Sequence, residues 1–147
     1  MTDLSLAQAS SILDAALSEG HRRNFAPLVV AVLDSGGHMI AFKREDGAGF
    51  ARFDIAYGKA WGALGMGFGT RELAERGTRF PAFVAAISTA TQGRIIPSPG
   101  GVLILDSDGH VIGAVGISGD TGDNDEICAI MGIESAGFSA LPGTRQG

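Results

Sequence analysis

Two apolar runs of the chain each lead into a short polar turn that is followed by a second apolar run. Val29 to Leu33 and Val102 to Leu105 are followed by turns of Asp, Ser and Gly. Glycine supplies a positive φ, and Asp and Ser bond the local backbone, as a hairpin turn requires. The pattern predicts two β-hairpins, with strands at about 28–34 and 38–44 and at about 101–106 and 110–117.

The two hairpins share a repeated octapeptide. Residues 33–40 recur as residues 105–112, a shift of 72 positions, and six of the eight residues are identical. Two copies at this spacing lie outside the range of stacked repeats, so they indicate two parts of one sheet. The repeat also places His38 and His110 at matching points just after the two turns.

Helical spacing of apolar residues predicts the remaining elements. Ser5 or Asp3 caps a first helix that ends near Gly20. Thr70 resembles a cap before a short helix. Further helices are predicted at 54–68, 80–90 and 124–138, and a frayed tail at 142–147. Together the elements predict an α+β fold in which helices cover an antiparallel sheet.

The helix predicted at 54–68 is unusually rich in glycine. Each helical glycine costs about 1 kcal/mol, so another segment is expected to approach this backbone closely. The small pairs Gly58/Gly62 and Ala63/Gly67 allow a second subunit to pack there, in a homo-oligomer of even, closed symmetry. Core packing within one subunit is the alternative.

Composition narrows the class of protein. A chain of 147 residues, 45% of them apolar and 18% charged, is typical of one globular domain. The net charge of −5 disfavours nucleic acid and anionic membranes as partners. Cys128 is the single cysteine, which excludes an internal disulfide and a multi-cysteine metal site. The sequence shows no export signal or long apolar span, so we expect a cytoplasmic protein.

The densest polar segment is residues 118–126, between a predicted strand and the closing helix. Glycine-rich turns at a helix amino end direct N–H groups towards one point, where an anion can bind. The alternative is helix capping by Asp123 or Asn124, with Asp125 and Glu126 in the first turn. The spacing does not match an EF-hand loop, and no metal site is predicted.

Three residues outside that segment are candidates for chemistry. His38 can act in proton transfer or ligate iron, and alternation places it on one face with Ile40, Phe42 and Arg44. Lys59 is the one charge in an apolar stretch, where burial favours a base or an anion partner; a snorkelling surface lysine is the alternative. Arg71 can hold a carboxylate but is equally compatible with a surface role.

We therefore predict a small-ligand pocket at the convergence of several loops and strand ends. Lys59 and Arg71 are its expected anion partners, with glycine N–H groups as further donors. The complete set of predicted ligand-binding residues is Arg44, Asp46, Lys59, Thr70, Arg71, Pro99, Gly100, Gly101, Ser118, Gly119, Asp125 and Glu126, and the predicted catalytic residues are His38 and Lys59.

Several separated motifs, in order along nearly the whole chain, resemble the GlcG/HbpS family. They are residues 30–38, Arg44-Glu45-Asp46-Gly47-Ala48, Lys59-Ala60, Thr70-Arg71-Glu72-Leu73, Pro99-Gly100-Gly101 and residues 113–119 through Asp125-Glu126. The resemblance implies a profilin-like fold with a five-stranded antiparallel sheet in the order 2-1-5-4-3, and symmetric oligomers. Glu45 departs from the family pattern, which often has an apolar residue, usually Met, at this position.

Two classes of function follow. Some members of the family bind haem, which implies haem or a related tetrapyrrole as ligand. Lys59 or Arg71 would meet the propionates, and His38 or His21 would ligate iron. Others sit among genes for glycolate or aromatic-compound breakdown, and a relative forms the carboxy-terminal domain of certain cobalamin adenosyltransferases.

The alternative is a cofactor-independent lyase, hydratase or isomerase acting on a small carboxylate. Lys59 or His38 would then be the base, and N–H groups of Gly100/Gly101 or Ser118/Gly119 would stabilise an oxyanion.

Overall fold

The computed structural model describes residues 3–145. Its elements in chain order are α1 (Leu6–Arg22), β1 (Val29–Asp34), β2 (Met39–Arg44), α2 (Arg52–Met66), α3 (Thr70–Arg79), α4 (Pro81–Ala90), β3 (Gly101–Leu105), β4 (Val111–Ser118), α5 (Gly122–Ser135) and β5 (Ser139–Leu141).

The five strands form one sheet in the order β2-β1-β4-β3-β5, and every neighbouring pair is antiparallel. The predicted fold class, an α+β protein with a five-stranded antiparallel sheet, is confirmed. The order differs from the predicted 2-1-5-4-3 at one edge. The predicted order has the edge strand before the second hairpin in the chain. The observed edge strand is β5, which comes after that hairpin and pairs with β3.

The repeated octapeptide forms two matching turns. In the first, the Asp34 carboxylate accepts the N–H groups of Gly36 and His38, and Gly37 has a φ of 85°. In the second, the Asp106 carboxylate accepts the N–H groups of Asp108 and His110, and Gly109 has a φ of 82°. Since β1 and β4 are antiparallel, both turns lie at one end of the sheet, hereafter the turn end. The opposite end, where Val29 lies between Arg44 and Ser118, is hereafter the Arg44 end.

Helices cover both faces of the sheet. On one face α1 and α5 pack over alternate strand residues, and on the other face α2 does so. Because α2 has glycine and alanine on its buried side, its backbone lies almost on the sheet: a Cβ added at Gly116 would lie within 1.9 Å of the Ala56 carbonyl oxygen. The glycines of α2 also admit residues 94–96 of the same chain. A Cβ at Gly58 would lie 2.3 Å from the Arg94 carbonyl oxygen. The Gly58/Gly62 pair therefore packs within one subunit.

Several local predictions need correction. The N-cap of α5 is Thr121, whose side chain accepts the Asn124 N–H, and neither Asp123 nor Asn124 occupies that position. The N-cap of α3 is Gly69, and Thr70 is already helical. At the amino end of α1, Ser5 caps the helix in a capping box with Gln8.

The predicted shared face of His38, Ile40, Phe42 and Arg44 is also wrong. Val32 pairs with Ala41 and Leu33 with Met39, so the register shifts at Ile40. Ile40 packs on the α1 side, whereas Phe42 packs with Ala31 on the α2 side. A β-bulge of this kind breaks the simple alternation of the strand.

The predicted frayed tail is wrong for residues 142–145. The carbonyl oxygens of Pro142 and Gly143 accept the N–H groups of Arg71 and Gly69, and Arg145 donates to the Gly109 carbonyl oxygen. Residues 146 and 147 lie outside the described residues.

Candidate functional site

Most of the predicted ligand-binding residues lie at the Arg44 end of the sheet. Arg44 and Ser118 flank Val29 in the strand register, and the Ile117 N–H donates to the Gly100 carbonyl oxygen. The end of β2, the start of β3 and the end of β4 therefore meet here. The side chains divide into a buried cluster around Lys59 and an open cleft beside Arg44.

Lys59 is at the centre of the buried cluster. Its side chain extends from α2, and its Nζ donates to the Ile117 carbonyl oxygen at 2.8 Å and to Asp125 Oδ2 at 3.1 Å. Lys59 is 2% exposed and Asp125 is 1% exposed. Of the two alternatives that the sequence leaves open for Lys59, burial is correct and snorkelling is wrong. This ion pair joins α2, the end of β4 and the first turn of α5.

Burial acts on both members of the pair in opposite directions. Desolvation lowers the pKa of the Lys59 ammonium and raises the pKa of the Asp125 carboxyl, because each charged form loses water on folding. The Asp120 N–H donates to Asp125 Oδ1 at 3.0 Å and favours the carboxylate. The interior therefore holds a titratable pair whose two pKa values lie closer together than in water.

Two glycines next to Lys59 leave space that a larger residue would fill. Gly100 has a φ of 122°, and a Cβ at this position would lie 2.9 Å from Lys59 Nζ. The Gly101 N–H donates to Thr70 Oγ1 at 2.8 Å. A Cβ at Gly101 would meet the Lys59 carbonyl oxygen at 2.3 Å. Thr70, Gly100 and Gly101 thus serve close packing between α2, α3 and β3.

Arg71 forms a second group nearer the surface. Its Nε donates to Glu126 Oε2 at 2.9 Å, and its Nη2 donates to Asp123 Oδ1 at 2.5 Å. These two carboxylates raise the pKa of the guanidinium above its usual value. Arg71 also borders a cleft of about 460 Å³ whose other wall is the segment 140–144. Its contacts within the chain fasten α3 to the start of α5.

The N–H groups of the 118–126 segment are largely engaged by the chain itself. Asp120 accepts the N–H groups of Ala26 and Thr121 and the side-chain amide of Asn124, and these hydrogen bonds lower the pKa of its carboxyl. Gly119 packs on Pro27, where a Cβ would lie 2.2 Å from the carbonyl oxygen. The acidic residues of this segment therefore bind groups of the same chain: Asp120 binds backbone N–H groups, Asp125 binds Lys59, and Asp123 and Glu126 bind Arg71.

The open cleft lies on the other side of residues 27–28. Its volume is about 470 Å³, within the range of roughly 300–1,000 Å³ that small-ligand pockets span. Its lining is Leu17, His21, Phe25, Pro27, Lys43, Arg44, Glu45 and Asp46. One wall is apolar and comes from α1 and the segment after it, and the other is charged and comes from the end of β2.

His21 and Glu45 meet across this cleft. His21 Nε2 lies 2.5 Å from Glu45 Oε2, and Glu45 Oε1 accepts the Leu28 N–H at 2.7 Å. The carboxylate is 15% exposed, whereas the imidazole is 76% exposed. Glu45 is therefore fixed by the backbone and orients the histidine, which faces the cleft.

His38 lies apart from both groups. It is at the turn end, 83% exposed, with its Nδ1 3.4 Å from Asp34 Oδ1. Asp34 lies four positions after Val30, the residue of β1 that pairs with Ile117, which corresponds to about 13 Å along the strand. His38 and Lys59 therefore do not share one site.

Part of this arrangement has no signal in the sequence. Glu45 stood out only as a departure from the family pattern, and its contact with His21 gives that departure a structural role. Lys43 and Phe25, which line the cleft, and Arg52, which donates to Ser118 Oγ at 3.1 Å, carried no motif. Their positions depend on the packing of α1 and α2 against the sheet.

The family model described as haem degrading protein HbpS-like matches residues 4–134 of the chain. A protein of Citrobacter freundii, described as an uncharacterized 15.0 kDa protein in the dhaT-dhaS intergenic region, is 32% identical over 138 residues, which cover 94% of each chain. Among the described residues, none of the helices has the length and apolar character needed to cross a membrane.

Solved structures resemble the whole fold. The structure titled as a PduOC:heme complex is 27% identical, with a TM-score of 0.85, and the match covers 99% of this chain and 100% of that one. The Klebsiella pneumoniae protein ORFY is 28% identical, with a TM-score of 0.83 and 93% of both chains covered. HbpS is 26% identical, with a TM-score of 0.77, over 92% of this chain and 91% of its own.

Proposed function

The chain belongs to the family described as haem degrading protein HbpS-like, and from this premise we propose that it binds haem or a related tetrapyrrole in the cleft beside His21. A relative of the same fold is described as a haem complex. The observation that carries the proposal is the pairing of His21 with Glu45 at the edge of an apolar wall.

The side chains of the cleft fit an amphipathic ligand of this kind. Leu17, Phe25 and Pro27 form a surface suited to the macrocycle. The opposite wall carries both signs of charge, and its two cations, Lys43 and Arg44, would meet carboxylate groups of a ligand. Bound haem would supply iron redox chemistry, which the side chains of the cleft do not have.

His21 is the proposed iron ligand. Metal-bound histidines usually hold a carboxylate or a carbonyl at the second ring nitrogen, which fixes the ring and raises the basicity of the ligating nitrogen. Glu45 stands in that relation to Nε2, which would leave Nδ1 of the same ring to ligate the iron. His38 has a similar acidic neighbour, Asp34, but its cleft of about 360 Å³ also contains Asp3 and lacks a cation.

The lyase, hydratase or isomerase alternative has weaker support. It needs a base that a substrate can reach. The Lys59 ammonium is enclosed by Ile117, Asp125 and Gly100. His38 lies at the turn end of the sheet, whereas the predicted oxyanion donors lie at the Arg44 end. The Gly101 N–H, one of those donors, is already bonded to Thr70.

We also propose that the protein is a homo-oligomer and that it is cytoplasmic, as the sequence predicts. Exposed apolar side chains, among them Phe80 and Phe83, support self-association.

Haemin titration followed by the Soret band tests the proposal. The wild-type chain is expected to give a saturable change, and His21→Ala is expected to weaken binding by about 100-fold. His38→Ala is the matched control, since it removes another exposed histidine beside a carboxylate. Equal binding by wild type and His21→Ala, or a loss confined to His38→Ala, would overturn the assignment of the cleft.

A further inference from the structure

The carboxylate that orients His21 is partly withdrawn from water and is held at both of its oxygens. Glu45 Oε2 contacts His21 Nε2 at 2.5 Å, and Glu45 Oε1 accepts the Leu28 N–H at 2.7 Å. The Glu45 side chain is 15% exposed. A charge in such a position is screened less than a charge in open water. The carboxylate therefore acts on the imidazole, and through the imidazole on an atom that the ring binds.

The cations around the cleft are bound to other groups of the chain. Lys43 Nζ pairs with Asp14 Oδ1 at 2.9 Å. Arg22 and Arg23 both bind Glu19. The charge that directly contacts the imidazole in the cleft is thus a negative one.

A negative charge behind the ligating ring favours the more positive of the two common oxidation states of haem iron. A carboxylate partner makes an imidazole more basic, and hydrogen bonding to an axial ligand is one of the means by which proteins set the potential of haem. Access of water acts in the same direction, because water stabilises the more highly charged form. The His21 imidazole is 76% exposed. Both features favour the ferric state.

We infer that the cleft distinguishes the two oxidation states of haem and binds ferric haem more tightly than ferrous haem, with Glu45 as the residue that sets the preference. This inference rests on the proposed function and names the form of the ligand that the cleft selects. Glu45 is a positioning residue, since it acts through His21. A purely structural role of Glu45 would instead affect every ligand of the cleft to the same extent.

The preference is linked to the redox potential of bound haem. A cleft that binds the ferric form about tenfold more tightly than the ferrous form lowers the midpoint potential by about 59 mV relative to unbound haem, because the couple transfers one electron. The wild-type chain is expected to show a difference of at least this size in spectroelectrochemical titration.

Titration with three ligands tests the role of Glu45. The ligands are ferric haem, ferrous haem kept reduced by dithionite without oxygen, and iron-free protoporphyrin. Glu45→Gln keeps the shape of the side chain and removes its charge. It is expected to weaken binding of ferric haem by about tenfold and to change the affinity for the other two ligands by less than about threefold. Asp46→Asn is the matched control, which removes an exposed neighbouring carboxylate and should change the ratio of ferric to ferrous affinity by less than about twofold.

The failure of this inference can be told apart from the failure of the proposed function. If the wild-type chain shows no saturable binding of ferric haem, or if His21→Ala binds it equally well, both are overturned. If binding depends on His21 but Glu45→Gln leaves the ratio of ferric to ferrous affinity unchanged, the inference alone is overturned. Equal weakening of all three ligands would likewise reduce Glu45 to a structural role. If Glu45→Gln fails to fold, a wild-type midpoint potential at or above that of unbound haem contradicts the preference.

Discussion

Glu45 joins the His21 imidazole to the backbone of the first hairpin. One oxygen of its carboxylate contacts His21 Nε2 at 2.5 Å, and the other accepts the Leu28 N–H at 2.7 Å. Residue 45 therefore positions a side chain of α1 from the end of β2.

Replacing Glu45 by Gln is expected to weaken haemin binding by about tenfold, the lower range for loss of an outer partner of a metal ligand. The amide can still accept the Leu28 N–H, so the fold is retained, but the charge that orients and polarises His21 is lost. Asp46→Asn removes a neighbouring carboxylate from the same cleft and controls for net charge. Equal effects of the two variants in a Soret titration would contradict the positioning role of Glu45.

Lys59→Met is expected to destabilise the protein by about 3–5 kcal/mol, since it leaves Asp125 buried without its cation. Urea unfolding measures the loss. Adding Asp125→Asn should restore part of the stability, because the remaining charge is then removed. Lys43→Met, which breaks the exposed pair with Asp14, is the control and should cost no more than about 1 kcal/mol. Similar losses for the two lysine variants would show that burial of the Lys59 pair has no energetic consequence.

Acid should destabilise the protein partly through Glu19. Hydrogen bonds from Arg22 and Arg23 lower its pKa from 4.5 to about 2. A carboxyl with a lowered pKa in the folded state stabilises the fold above its unfolded pKa, and this contribution is lost as the pH falls from about 4.5 towards 2. Glu19→Gln should therefore flatten the dependence of unfolding free energy on pH between 5 and 2. Asp14→Asn, on the same helix, controls for removal of one carboxylate; an unchanged slope in Glu19→Gln would refute the assignment.

Gly116→Ala should test the close approach of α2 to the sheet. The added methyl carbon would lie 1.9 Å from the Ala56 carbonyl oxygen, much closer than van der Waals contact allows, so α2 must shift, at an expected cost of about 1–3 kcal/mol or more. Gly49→Ala is the matched control, since a Cβ at Gly49 has no atom within 4 Å among the described residues. A thermal midpoint in Gly116→Ala that equals that of Gly49→Ala would mean that the sheet tolerates a side chain here.

The elements predicted well from sequence are those with a local signal. Asp34 and Asp106 each bond N–H groups within four residues, so the hairpin turns are evident from a short segment. Strand β5 has three residues and is stabilised by pairing with β3, far along the sequence, and it was missed. The bulge at Ile40 likewise depends on the register with β1 rather than on the identity of the residue.

The sequence indicated many of the residues of the site but not which of them contact each other. The apolar neighbours of Lys59 marked it as a candidate without deciding between burial and snorkelling, and its contact with Asp125 joins residues 66 positions apart. The two residues meet because α2 and α5 approach the end of β4 from different directions. His21 and Glu45 meet only because α1 packs across the first hairpin, which no local pattern specifies.

The two repeated turns have a consequence for engineering. They lie side by side at the turn end, separated by two strand spacings, or about 10 Å. Exposed loop tips are the positions at which proteins best tolerate insertion, and these two are distant from both the His21 cleft and the Lys59 pair. The two adjacent turns can therefore be lengthened together to form a two-loop binding surface. The residues at the Arg44 end of the sheet would not be altered.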